Sequence, residues 1–154
     1  MPWVEMGRMK IPGEPRGKGR PRFVRATGRT YTPKETLSYE DRIYMIADIV
    51  FDEHELPLGR YVPVRLDIEA VFTRPKRLFR KADPDARIHA PQTRVDADNI
   101  AKTVGDALQR LIFVDDRQVV EIRVTKHYGA ILDRKEKTAE LSHVLVTVYR
   151  LGEQ

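Results

Sequence analysis

Three segments of the chain alternate apolar and polar residues with a period of two, and that pattern restricts the fold more than anything else in the sequence. Val62, Val64, Leu66, Ile68, Ala70 and Phe72 alternate with Pro63, Arg65, Asp67 and Glu69. Val120, Ile122 and Val124 alternate with Glu121, Arg123 and Thr125, and Val144, Val146 and Val148 with His143, Leu145 and Thr147. Successive strand residues point to opposite faces, so such segments predict a sheet covered on one side and polar on the other. The cover is supplied by two amphipathic helices. Thr32, Pro33 and Glu35 have the types and spacing of a helix start with a capping box. Tyr39, Ile43, Ile46, Ala47 and Val50 then recur at helical spacing, which predicts a helix over about Pro33 to Glu53. A second helix is expected from about Asp98 to Arg110, followed by a turn and a strand from Val119. At 154 residues the chain is one domain's worth of sequence. The expected fold is therefore α+β: a single small domain, 1–154, with a mixed or antiparallel sheet and two main helices packed on it.

The N-terminal part differs in character. Pro2, Pro12, Pro15, Pro21 and Pro33 and five glycines interrupt it. Short extended pieces over Val4–Ile11 and Arg22–Tyr31 are expected, the second turning at Thr27-Gly28. The stretch Arg74–Arg94, with Pro75, Pro84 and Pro91, is long for a structureless loop, and loops of that length in small domains are usually functional or mobile.

Charge is segregated. The net charge is +5, yet residues 1–34 carry nine Lys/Arg against Glu5 and Glu14, and residues 74–94 carry seven against Asp83 and Asp85. The rest of the chain is acidic in balance. A positive face of this kind suits a polyanion, with a solvated basic surface as the plain alternative. Cysteine is absent, which excludes disulfides, thiolate metal sites and a cysteine nucleophile. No apolar stretch approaches membrane-spanning length and the start does not read as a leader, so a soluble cytoplasmic protein is expected.

The acidic residues gather in Arg94-Val95-Asp96-Ala97-Asp98-Asn99-Ile100-Ala101-Lys102, continuing to Asp106 and Asp115-Asp116. With Asp98 at zero on a helical wheel, Lys102 falls at about 40° and Asp106 at about 80°, while Ile100, Val104, Ala107, Leu108 and Leu111 fall at roughly 180° to 280°. A charged stripe thus lies opposite a buried face, with Asp96 and Asp98 at a helix N-terminus that favours negative charge. Taken singly, each piece has an ordinary explanation: a helix cap, exposed i,i+4 pairs, a turn before a strand. Together they offer three carboxylates for one or two Mg²⁺ ions, with Lys102 placed to neutralise charge in phosphodiester hydrolysis. Gly13–Gly19 fails as a phosphate-binding loop: it has three residues between the glycines where four are required, and Gly19 where Ser or Thr would stand. His54, His89, His127 and His143 lack paired metal spacing.

The run Asp96-x-Asp98-Asn99-x-x-Lys102, with Asp106-Ala107-Leu108 and Asp115-Asp116-x-Gln118-Val119, resembles the RusA family of Holliday junction resolvases. Gly17-Lys18-Gly19-Arg20-Pro21-Arg22-Phe23 and Gly28-Arg29-x-Tyr31-Thr32-Pro33 resemble its phage and bacterial branch. The resemblance runs from about residue 8 to residue 128, and Val95 stands where many relatives have Pro. It implies a small α+β homodimer that binds four-way DNA junctions and nicks two strands symmetrically with Mg²⁺. By position it assigns metal binding to Asp96, Asp98 and Asp116 and catalysis to these and Lys102, with Asp115 a weaker candidate. DNA contacts are expected from Arg16, Lys18, Arg20 and Arg22, and from a second patch at Arg77, Arg80 and Lys81. Two other readings are weighed against this one: a branched-DNA-binding protein without catalysis, and a transferase that uses Asp-x-Asp to hold a metal on a nucleotide.

Overall fold

The alternating segments form strands, and so do shorter pieces that carry no such pattern. In the computed structural model, residues 2–19, 22–31 and 34–152 are described. In chain order they form β1 (Trp3–Pro12), β2 (Arg22–Val24), β3 (Arg29–Tyr31), α1 (Lys34–Val50), β4 (Val64–Phe72), β5 (Ile88–His89), α2 (Ala97–Leu108), β6 (Val119–Tyr128), β7 (Ile131–Asp133), β8 (Thr138–Ala139) and β9 (His143–Leu151). Thr32 and Pro33 of the expected capping box lie outside the described residues, as does Arg20.

β1, β9, β4, β6 and β5 make one sheet in that order. It is mixed. β4 and β6 run parallel, and every other neighbouring pair is antiparallel. A parallel pair needs a crossover, and the long connection between β4 and β6 supplies it with α2. β2 and β3 form the expected hairpin, turning through Gly28 at φ 68°, a left-handed conformation that glycine adopts without penalty.

The core lies between one sheet face and the two helices. Val64, Leu66, Ile68, Ala70 and Phe72 of β4, Val144, Val146 and Val148 of β9, and Met9 and Ile11 of β1 are buried there. Tyr39, Ile43 and Ala47 of α1 and Ile100, Val104, Ala107 and Leu108 of α2 face them. Each large apolar side chain removed from water contributes about 1.5–3 kcal/mol before the entropy of ordering is subtracted. On the other face Arg65, Asp67 and Glu69 remain partly exposed, as the alternation requires.

Two details depart from the sequence reading. β6 forms where expected, but its burial does not alternate: residues 120–123 are all exposed, Val120 at 61% and Ile122 at 45%. The cause is position: β5 pairs only with His127 and Tyr128, so the earlier part of β6 is a sheet edge. The Arg74–Arg94 stretch is tied down from within. The buried Arg74 guanidinium donates to the carbonyls of Leu78, Pro84, Ala86 and Gly129 at 2.8–3.2 Å. Arg134, beside the β7–β8 hairpin, bonds the carbonyls of Arg80 and Asp83 from outside. No helix among the described residues is long and apolar enough to cross a membrane.

Candidate active site

α2 begins where β6 ends. Lys126, near the end of β6, donates its ammonium to Thr93 Oγ1 at 2.9 Å and to the Val95 carbonyl at 3.3 Å. Thr93 Oγ1 in turn donates to the Val95 carbonyl at 2.9 Å. These bonds fix the segment that leads into the helix. Asp96 is the N-cap residue: its backbone is extended and its carbonyl accepts from Ile100 N at 3.1 Å, but its carboxylate makes no capping bond. Asp98 stands exposed in the first turn, and Lys102 is exposed one turn later. The carboxylates of Asp96 and Asp98 thus project to solvent at the positive end of the helix dipole. A cleft beside them, at the C-terminal ends of β4 and β6, is lined by Glu14, Phe72, Thr73, Thr93, Arg94 and Tyr128.

The neighbouring side of α2 is covered by the Gly17-Lys18-Gly19 segment. Lys18 N donates to Asn99 Oδ1, and Asn99 Nδ2 donates to the Lys18 carbonyl, both at 3.2 Å. The Lys18 ammonium is paired with the Asp106 carboxylate and lies 3.8 Å from Glu40 of α1. The bond to Asp106 raises the Lys18 pKa, and burial raises that of Glu40. The segment therefore straps both helices together. Gly17 sits so close to Asn99 and Val95 that an added Cβ would overlap both side chains.

Asp115 and Asp116 occupy the other end of α2. The Asp115 carboxylate caps the short turn Asp116–Gln118, accepting from Arg117 N at 2.9 Å, and pairs with the Arg117 guanidinium at 2.6 Å. These bonds hold Asp115 well below the usual carboxylate range. Gln118 is buried; its Oε1 accepts from Val114 N and Asp115 N, and its Nε2 donates to the Gly59 and Val62 carbonyls. Asp116 is exposed. Since β6 starts here and ends beside Val95, the helix lies between Asp116 and the Asp96/Asp98 pair. Twelve helical residues span about 18 Å. Within one chain Asp116 does not meet the other two acids, and no group of three or more His, Asp or Glu among the described residues is placed to share a metal ion.

The expected DNA-contact residues are dispersed. Arg16, Arg77 and Lys81 are exposed. Arg80 is exposed and pairs with Asp83 at 3.3 Å. Arg22 opens β2. Lys18 differs from the others, because its charge is engaged by Asp106 and Glu40. The sequence carries no individual signal for Asn99 or Lys126: Asn99 lies inside the acidic run, and nothing in the sequence pairs Lys126 with the approach to α2.

The acidic run at the start of α2 lies within a segment of the chain that matches a family model. The model of the family described as Endodeoxyribonuclease RusA matches residues 12–135, most of the chain. The chain belongs to the RusA family. Its similarity extends to YqaN of Bacillus subtilis (strain 168), an uncharacterized protein 30% identical over 123 residues, which are 76% of this chain and 84% of that one. RusA is an endodeoxyribonuclease family, and the nuclease class follows from membership. In this RusA-family chain Asp96 and Asp98 form a donor set of hard oxygens that suits Mg²⁺ rather than a softer metal. Two carboxylates without a partner among the described residues fit such an ion as partial ligands, with further positions left to water, phosphate or another carboxylate.

Proposed function

We propose that the protein is a Mg²⁺-dependent, structure-specific endodeoxyribonuclease of the cytoplasm that resolves four-way DNA junctions by paired nicks. The observation that carries this reading is the pair of carboxylates, Asp96 and Asp98, unengaged among the described residues at the open start of α2, in a chain matched by the RusA family model over residues 12–135. A bound Mg²⁺ would supply polarisation of the scissile phosphate and a more acidic water at neutral pH. Asp96 and Asp98 would hold it. Lys102, one turn along the helix, would set an ammonium against the negative charge that grows on the phosphate oxygens. Lys126 and Asn99 position this end of α2 through their bonds to Thr93, Val95 and Lys18.

Asp116 takes part as a metal ligand only if it comes from a second copy, because α2 separates it from Asp96 and Asp98 within one chain. A homodimer provides this, and its two-fold axis matches that of a junction needing two cuts. Arg16, Arg20 and Arg22 of the N-terminal segment, and Arg77, Arg80 and Lys81 of the second basic segment, would carry backbone contacts.

A labelled four-way junction incubated with Mg²⁺ or with EDTA tests the reading. Paired nicks with Mg²⁺ and none with EDTA are expected. A shifted complex without product in Mg²⁺ would assign the chain to branched-DNA binding instead.

A further inference from the structure

We infer that the β2–β3 hairpin is a branch-reading ribbon: Phe23 and Tyr31 stack on bases left unstacked where DNA arms meet, while Arg25 and Arg29 hold the adjacent phosphates. The inference deepens the proposed nuclease function and rests on it for the choice of DNA.

The hairpin has no core of its own. Every residue from Phe23 to Tyr31 is exposed, with Phe23 at 64%, Tyr31 at 48% and Val24 at 36%. Among the described residues its strands pair only with each other, and Thr27 N and Gly28 N close the turn on the Val24 carbonyl. A lone two-stranded hairpin is marginal in water and needs a further surface to cover its apolar side chains. The pairing sets Phe23 opposite Thr30, and Val24 opposite Arg29. Phe23 therefore lies on one face of the ribbon, and Tyr31 with Val24 on the other. A ribbon with a ring on each face has the form of a wedge.

Charge selects what the wedge enters. From Pro15 to Lys34 the chain holds seven Lys/Arg and no Asp or Glu. Lys18 is spent on Asp106 and Glu40, but Arg25 and Arg29 are exposed within the hairpin itself. Cations that follow a phosphate backbone, interleaved with rings that take bases, are the elements of binding to opened nucleic-acid strands. The rings supply the discrimination. In a duplex the base faces are already stacked, and driving a ring between them costs unstacking. Where four arms exchange strands, base faces at the centre open at less cost. Phe23 and Tyr31 thus add affinity at a branch and little along an arm. They do so whatever the sequence, because every base has a face to stack on.

The ribbon is rooted beside the acids. The main chain of Lys18 bonds the Asn99 side chain in both directions, and Asn99 adjoins Asp98. Lys18 and Arg22 are four residues apart, a reach of at most about 14 Å. A base stacked on the hairpin therefore belongs to DNA whose phosphates lie close to the start of α2.

The test reads binding without cleavage. A four-way junction with 2-aminopurine at the branch centre, and a linear duplex of the same arm sequence, are titrated with the full chain in EDTA. Phe23→Ala and Tyr31→Ala should each weaken junction binding at least fivefold and duplex binding less than twofold. Both should also diminish the 2-aminopurine fluorescence change that the parent produces. Tyr31→Phe keeps the ring and should bind the junction as the parent does. Arg25→Gln and Arg29→Gln should weaken binding to both DNAs, each lowering the salt slope for duplex by about 0.9. Alanine variants that bind the junction like the parent, or that lose junction and duplex by the same factor, would overturn the ribbon's role. So would a Tyr31→Phe chain that binds no better than Tyr31→Ala. In either case Mg²⁺-dependent junction cutting by the parent would leave the nuclease reading standing. Ring-dependent junction binding by a parent that cuts no junction would do the reverse.

Discussion

Asp98 and Lys102 share one side of α2 but are assigned different work, and substitution separates the two roles. Asp98→Asn should reduce junction cleavage at least about 100-fold while junction binding holds or tightens, since a repulsive charge is removed. Lys102→Ala should lose cleavage similarly but keep its Mg²⁺ affinity, measured by calorimetry without DNA. Cleavage by Asp98→Asn at the parent rate would remove that residue from the site. Away from the site, Arg87 bonds Glu140 at 2.5–2.8 Å and holds its carboxyl at about 2 against an ordinary value of 4.5. The unfolded chain therefore takes up this proton first as the pH falls. The contribution is complete above about pH 4.5 and is lost between there and about pH 2. Glu140→Gln should cost about 1–2 kcal/mol in urea unfolding at pH 7, a difference that shrinks toward zero at pH 2–3.

At the scale of elements, two segments do more than their composition suggests. The Gly17–Gly19 strap approaches α2 closely enough that Gly17→Ala should push it off Asn99 and release Lys18 from Asp106. Amide exchange at Lys18 should then rise at least tenfold with little change in the sheet. The basic stretch after β4 hangs on Arg74, and Arg74→Met should leave the buried Gly129 carbonyl and three partly buried ones short of a donor. A loss of about 3 kcal/mol or more in unfolding free energy is expected. The elements themselves were largely legible: both helices, the β2–β3 hairpin and β1, β4, β6 and β9 follow from periodicity and turn chemistry. The β7–β8 hairpin was not, because its paired runs are too short to show a period. The fate of Lys18 was hidden for a related reason. A lysine in a basic segment looks like a phosphate contact until the fold brings Asp106 and Glu40 beside it. The family resemblance implies Asp96, Asp98 and Asp116 as a set, but sequence spacing could not show that α2 stands between Asp116 and the other two. That depends on β6 running back along the helix.

For the whole molecule, the proposed function gives a second copy a chemical role as well as a symmetric one, because the acids are separated within one chain. Mixing the parent with an excess of tagged Asp98→Asn chains should produce junctions nicked in one strand, seen as a rise in singly cut product on a denaturing gel with paired cuts falling in step. Unchanged paired cutting would mean that each chain acts alone. The order of strands has a different consequence, felt during biosynthesis. β9 follows every other strand in the chain, yet it lies between β1 and β4, and Gly152 N donates to the Pro2 carbonyl at 2.8 Å. While the ribosome still holds β9, β1 has no strand to pair with and β4 offers a bare flank. A nascent chain can prepare its helices and the β4–β6 pair, but it cannot join its first strand to the sheet until β9 is released from the exit tunnel. The sheet is thus completed only when synthesis has passed that point, and until then a partly made chain carries its first strand unpaired.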